Sequence, residues 1–438
     1  VPTRLASERL CFMSPSSPKG RGTTASCRIS VIFFVNLLCL LQIEAKNIPS
    51  GAVASPPAAK SLPLRRRIFK SKKLGIKVGC GSIQRKNVAV RSSARPSQAP
   101  LPLYASTIDV TRNDLYGSDS TEGMTRVIDA LEKACIEIST ALARVNIDRR
   151  TGDQGDINIQ GEKQKKIDVY ANELIKRKLF ESGVVGAIAS EEEDDIVLPS
   201  NHSVEKGPIY AVAFDPLDGS SNIDCSVPTG TIFSIYQIPE EQRDSLDSTN
   251  NPFLSPVTSI IASGYVMYSS ATSLVLSFGK GTHILSLDPD TRKFVLTGAN
   301  MRVPNRGPYY SLNEGRYFDW PNGLRNYISD VKQGKGTWGK KYSSRYVCSL
   351  VADVHRTILY GGWAGNPRPH LRLLFEAAPL SFILDQAGGK GSDGNRPILS
   401  YTPDTLHQRL PVFLGSSEDI EELESYGDVQ QGKANYEA

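Results

Sequence analysis

The sequence predicts an α+β or layered α/β/α protein, with a seam near residue 300. Three observations carry that expectation. Two amphipathic helical patterns open the globular part, a succession of short β-rich segments follows them, and the last third mixes both types. The 438 residues are enough for two compact domains with extensions.

The first helix is expected in "TEGMTRVIDALEKACIEISTALARV" (121–145), where Val127, Leu131, Cys135, Ile138 and Leu142 recur at helical spacing. "KKIDVYANELIKRKLFES" (165–182) reads as a second amphipathic helix. Strand candidates come next: "GVVGAIAS", "IYAVAF", "TIFSIYQI", "TSIIASGYVMY", "SLVLSFGKGTHILSL" and "KFVLTG", punctuated by Gly and polar residues. Beyond residue 300 stand "YSSRYVCSLVADVHRTILYGG", the helix-like "LRLLFEAAPLSFILDQAGG" and a strand in "LPVFLGS" that runs into an acidic helix. No internal repeat is visible, and no apolar run after residue 109 is long enough to span a membrane.

Charge divides the chain sharply. Residues 1–108 hold 18 Lys/Arg against only Glu8 and Glu44, whereas the remainder is acidic, with 33 basic against 44 acidic residues. The basic balance therefore belongs to the N-terminal extension, which argues against nucleic acid as a partner of the folded part. "ISVIFFVNLLCLL" (29–41), preceded by Lys19, Arg21 and Arg28, has the form of a signal-peptide core. From Ala45 to Ile108 no acidic residue occurs, and Ser, Ala, Pro, Lys and Arg abound, as in organelle transit peptides. We expect a targeting leader over 1–108, of the bipartite kind that directs proteins to plastids bounded by extra membranes. A signal anchor or a basic tail on a cytoplasmic protein is the alternative. Because the chain opens on Val, Met13 is a candidate start. Of seven cysteines, four lie in this leader; Cys135, Cys225 and Cys348 have no metal-ligand spacing and predict no disulfide framework.

Several carboxylates stand where a bare charge is costly. Glu191 and Glu192 directly follow "VVGAIAS", Asp215 and Asp218 follow "YAVAF", Glu376 lies inside "LRLLFEAAPLSF", and Asp168 opens the second helix. Buried charges are normally paired or bound to a cation. Singly, each could be an ordinary salt-bridge or capping residue. "DPLDGSS" is a denser pattern: two Asp three apart, then Gly219, Ser220 and Ser221, whose backbone N–H groups and hydroxyls suit an anion. Hard oxygen ligands with no His or Cys cluster suit Mg2+, with Mn2+ possible in its place. Cation and phosphate meeting at one point is the arrangement for attack of water on a phosphate ester.

"FDPLDGSSNID" with the upstream "SEEE" resembles the lithium-sensitive, metal-dependent sugar phosphatase superfamily. "GEKQKKIDV", "GTIFSIY", "SGYVMYSSATSLV", "YSLNEG", "RYVCSLVADVHRTILYGG", "LRLLFEAAPLSF" and "HQRLPVFLGS" narrow the resemblance to the fructose-1,6-bisphosphatase family, over nearly all of 109–425. The resemblance implies two subdomains (109–300 with the metal loop, 301–438 with substrate-binding residues), each with a central mixed sheet flanked by helices. It implies Glu191, Asp215, Asp218, Glu376 and the Leu217 carbonyl as metal ligands. Glu192, with Glu162 and Asp168, would orient or deprotonate the attacking water. Ser220 and Ser221, with Gly219, would hold the transferred phosphate; Asn313 and Tyr346 would contact the rest of a sugar bisphosphate. Arg345 would reach a neighbouring subunit's site, which makes a homo-oligomer, dimer or tetramer, the expectation.

This chain departs from the family in three places. "GGWAGNPRPH" is shorter than the usual segment, lacks its Tyr, and carries His370 in place of a phosphate-binding Lys; Arg368 is a candidate replacement, a solvated loop arginine the other reading. Ile209 and Gln237 stand where animal-type members use Lys and Arg to bind AMP, so weak AMP inhibition is expected. "PEEQRDSLDSTNNPFLSPVTS" lacks the cysteines of light-regulated plastid members. Sedoheptulose 1,7-bisphosphate is an alternative substrate. A catalytically dead relative is disfavoured because every ligand position is filled.

Overall fold

The computed structural model describes residues 122–148, 153–157, 163–199, 207–247 and 250–432. The leader over 1–108 and the candidate Glu162 lie outside the described residues.

Helices α1 (Glu122–Ala143) and α2 (Lys166–Glu181) match the two predicted helices within a few residues. A short antiparallel pair, β1 (Asp153–Ile157) and β2 (Lys163–Lys165), lies between them in sequence. A seven-stranded sheet follows in simple chain order: β3 (Val185–Ser190), β4 (Ile209–Asp218), β5 (Thr229–Ile238), β6 (Ile260–Tyr268), β7 (Thr272–Ser277), β8 (Thr282–Asp288) and β9 (Lys293–Met301). Only β3 and β4 run parallel; the other pairs are antiparallel. The predicted segment 273–287 is thus two strands, turned at Gly279 and Gly281.

The second sheet has the order β11–β10–β12–β14–β13. Its strands are β10 (Tyr309–Ser311), β11 (Ser343–Ser344), β12 (Trp363–Arg372), β13 (Gly389–Ser392) and β14 (Arg409–Ser416). Helices α3 (Asn322–Gln333), α4 (Leu350–Tyr360), α5 (Ala378–Gln386) and α6 (Ser417–Ser425) complete this part.

Burial explains how these elements stack. On β4, Tyr210, Val212 and Phe214 pack with α1 and α2, whereas Ile209, Ala211 and Ala213 pack with α4 and α5. The strand reads as an unbroken apolar run because both of its faces are covered. On β14, Val412 and Leu414 face the same inner helices, and Phe413 faces α3 and α6. The result is five layers, helix–sheet–helix–sheet–helix. The middle layer, α4 and α5, serves both sheets, a sharing that separate α/β/α units would not show.

One local expectation needs correction. "LRLLFEAAPLSFILDQAGG" is not one helix: β12 extends to Arg372, a single π turn spans Leu373–Ala377, and α5 starts at Ala378 with Pro379 in its first turn. The segment "GGWAGNPRPH", to which no element was assigned, supplies most of β12, a central strand, so Arg368 is not a loop arginine. Its pairing with β14 lapses between Asn366 and Leu371, where Pro367 and Pro369 have no N–H to donate.

Candidate active site

Strand β4 delivers the first two carboxylates. Its pairing with β5 steps from Asp215↔Ile232 to Asp218↔Gly230, so β4 carries one extra residue there. Pro216 cannot donate to the ladder, and the Thr231 hydroxyl takes its carbonyl at 2.8 Å. A bulge of this kind reverses the alternation of faces, so Asp218 joins Asp215 on the same side. Glu376 arrives from the π turn after β12. Ligand oxygens of Asp215, Asp218 and Glu376, all three buried, lie within 4.8 Å of one another.

Three carboxylates in so small a volume repel one another, and their acidities show it. Burial, reinforced by the charges of Glu191, Asp218 and Glu376, holds Asp215 well above the usual carboxylate range. Burial and the Glu191 charge do the same to Glu376. Asp218 is pushed up only to about 6: burial raises it, and hydrogen bonds from the Val351 N–H (2.9 Å), the Ser349 hydroxyl (2.9 Å) and the Leu350 N–H (3.3 Å) oppose the rise. These donors form the N-terminus of α4, so a helix end stabilises the anion.

Glu191 reaches the cluster from the end of β3, where its N–H donates to the Phe214 carbonyl at 3.1 Å. Its carboxylate pairs with the buried guanidinium of Arg372, and the Arg372 N–H donates to Glu376 Oε2 at 2.6 Å. Arg372 and Ser349 escaped the sequence reading. The signal for Arg372 was present, a cation enclosed by Leu371 and Leu373.

Glu192 is half-buried, with its N–H on Ser190 Oγ at 3.3 Å. The turn carrying it is fastened to α2: Ser190 donates to Asn172 Oδ1 (2.7 Å), while Asn172 Nδ2 donates to Glu193 (2.9 Å) and Lys176 pairs with Glu193. Asp168, four residues before Asn172, is buried on that same face of α2.

Beyond Asp218 the chain turns sharply. Gly219 has φ +72°, and a Cβ there would meet Ser349 at 3.2 Å, so glycine is required on both counts. Ser220 and Ser221 begin a short 3-10 turn, Ser220–Cys225, tied by the buried Asn222 to the Cys348 carbonyl at 3.0 Å. Leu217 is buried in the outer core. Asn313 and Tyr346 line one pocket, together with Arg316 and Arg368. Arg345 is exposed, its guanidinium 5.4 Å from the Tyr309 ring centre. His370 is exposed on β12 and is not among the residues lining that pocket.

Two family models, described as the N-terminal and C-terminal domains of fructose-1-6-bisphosphatase, match residues 107–299 and 303–428. The chain belongs to the fructose-1,6-bisphosphatase family. The chloroplastic fructose-1,6-bisphosphatase of Pisum sativum is 46% identical over 323 residues, covering 69% of this chain and 78% of its own. That of Brassica napus is 43% identical over 366 residues, covering 80% and 88%. The holo crystal structure of Leishmania major fructose-1,6-bisphosphatase superposes with a TM-score of 0.66 at 35% identity, over 70% of this chain and 94% of that one.

Proposed function

We propose that this protein hydrolyses the 1-phosphate ester of fructose 1,6-bisphosphate to fructose 6-phosphate and phosphate. The observation that carries the reading is the buried Asp215–Asp218–Glu376 cluster set directly against the Gly219 turn. The donor set is all carboxylate oxygen, and the raised pKa values of Asp215 and Glu376 support a place built for more positive charge than Arg372 alone supplies. A hard divalent cation fits these residues, and Mg2+ is the proposed ion, with Mn2+ able to replace it. Asp215, Asp218, Glu376 and Glu191 would hold it, with the Leu217 carbonyl. Such an ion supplies charge neutralisation at the phosphoryl oxygens.

The chain's own groups supply the rest. Ser220, Ser221 and the backbone N–H groups after Gly219 are proposed to orient the scissile phosphate. Glu192, with Asp168 and Glu162, is proposed to take the proton of the attacking water. Asn313 and Tyr346, with Arg345 and His370, are proposed to hold the sugar and its distal phosphate. The exposure of Arg345 supports a homo-oligomer in which it serves a neighbouring site. The two sheets, on either side of residues 301–309, support domains at 109–300 and 301–438. The chloroplastic relatives and the transit-like composition of the leader place the enzyme in the plastid.

Phosphate release from fructose 1,6-bisphosphate, with and without Mg2+, beside an Asp218→Ala variant, tests the assignment. Equal release by the wild type and the variant would overturn it. Sedoheptulose 1,7-bisphosphate is the second substrate to assay, because the altered β12 segment lines the pocket at Asn313 and Tyr346 through Gly365, Asn366, Pro367 and Arg368.

A further inference from the structure

The pocket at Asn313 and Tyr346 is closed on one side by the chain that follows α6. Three anchors hold that chain. Val429 is buried with Trp363 and Phe413, Gln430 Nε2 donates to the Asp393 carbonyl at 2.9 Å, and the Gln431 N–H donates to the Pro367 carbonyl at 2.7 Å. Pro367 lies in the stretch where β12 loses its pairing with β14, so the tail takes a carbonyl that the sheet leaves open. The side chain of Gln431 is thereby carried into the pocket, beside Asn313, Arg316, Tyr346, Asn366 and Arg368.

Gln431 is only 3% exposed, and among the described residues neither its Oε1 nor its Nε2 has a hydrogen-bond partner. Native structures seldom leave a buried amide with both ends unmet; where they do, a bound group commonly supplies the partners. The neighbours indicate what that group is. Two guanidinium side chains, Arg316 and Arg368, share the pocket, and a guanidinium fork suits phosphate oxygens. A primary amide can donate to a phosphate oxygen and accept from a sugar hydroxyl at the same time.

We propose that Gln431 is a specificity-determining residue, hydrogen-bonding the distal end of the sugar bisphosphate between Arg316 and Arg368. The inference rests on the reading of the site as a sugar bisphosphatase. It gives the C-terminal tail a direct part in substrate recognition, on the side where the segment before Leu371 is short.

The test is Gln431→Leu, similar in size and without hydrogen-bonding capacity. The KM for fructose 1,6-bisphosphate should rise about tenfold, the worth of one or two hydrogen bonds, with kcat within about twofold. The Kd for fructose 6-phosphate, measured by calorimetry, should weaken by a similar factor. The Tm should hold or rise, since an unmet buried amide has been removed; a purely structural glutamine would lower Tm and leave both constants alone. Unchanged KM and Kd overturn the proposal. A wild type that binds fructose 6-phosphate but releases no phosphate from the bisphosphate overturns the catalytic reading instead, and the calorimetric comparison still decides Gln431. A wild type that does not bind fructose 6-phosphate overturns the present inference. If the leucine variant does not fold, Gln431→Met carries the same comparison.

Discussion

The Ser349 hydroxyl donates to Asp218 Oδ2 at 2.9 Å, joining residues 131 positions apart. Ser349 is also the N-cap of α4 and accepts from the Ala352 N–H at 3.4 Å. One side chain thus starts a helix and aims its N-terminus at a carboxylate of the site.

Ser349→Ala should therefore act twice. Loss of the cap should cost about 1 kcal/mol of stability. Loss of a donor to the ionised form should raise the pKa of Asp218 further above its present value of about 6. The acid limb of the kcat/KM–pH profile should move to higher pH, and more Mg2+ should be needed near pH 6. An unshifted profile in a folded variant would show that Ser349 serves the helix alone.

Asp215→Asn separates stability from activity. In the metal-free protein the folded state holds a proton on this group more tightly than the unfolded chain does. Its ionisation therefore lowers stability as pH rises above the ordinary carboxylate range. A neutral amide removes that penalty and can still accept from the Leu217 N–H, now at 2.9 Å. Without added metal the variant should melt higher than the wild type at pH 8, while phosphate release falls by about 1000-fold or more. Melting curves with EDTA, alongside a phosphate assay, check both halves.

His355 predicts an acid-sensitive α4. Burial pushes its imidazole down to about 4, and its Nδ1 lies 2.9 Å from the Tyr265 hydroxyl. The unfolded chain binds this proton near pH 6.5, so the stability contribution is complete above that value and is lost as pH falls from 6.5 through 4. The ring keeps partial exposure, and solvent screening reduces the loss to about 1–2 kcal/mol. Urea midpoints at pH 7 and pH 5 should differ in the wild type and converge in His355→Phe. Equal slopes in the two proteins would remove the imidazole from the explanation.

AMP should inhibit poorly. Tyr210 pairs with Gln237 across β4 and β5, and Ile209 beside it is 8% exposed and apolar. Neither of the two cation positions therefore carries a charge to meet a phosphate. An inhibition constant for AMP in the micromolar range would contradict this.

Much of the site was readable before any fold was known, because its residues violate local patterns. Asp215 and Asp218 end an apolar strand, and Glu376 interrupts an apolar helix-like run; such charges announce themselves in one dimension. Arg372 carried a similar signal and was passed over. The N-terminal helix–helix–sheet order was legible from periodicity. Helix α3 went unnoticed although Leu324, Tyr327, Ile328 and Val331 follow the helical spacing and are buried. Strand β12 was not among the strand candidates because its two prolines interrupt the strand pattern.

The sequence by itself determined the local chemistry: two aspartates three apart at the end of an apolar strand, a glycine and two serines directly after them, and candidate ligands that are hard oxygen donors. These are properties of residue type and short spacing, and short spacing survives folding. Only the tertiary structure decided what closes the pocket at Asn313 and Tyr346. Ser349 and Asp218, or Gln431 and Pro367, meet across long stretches of chain through burial and backbone hydrogen bonds. No periodicity in the sequence records such a meeting, because layer packing imposes it once both sheets have formed around α4 and α5.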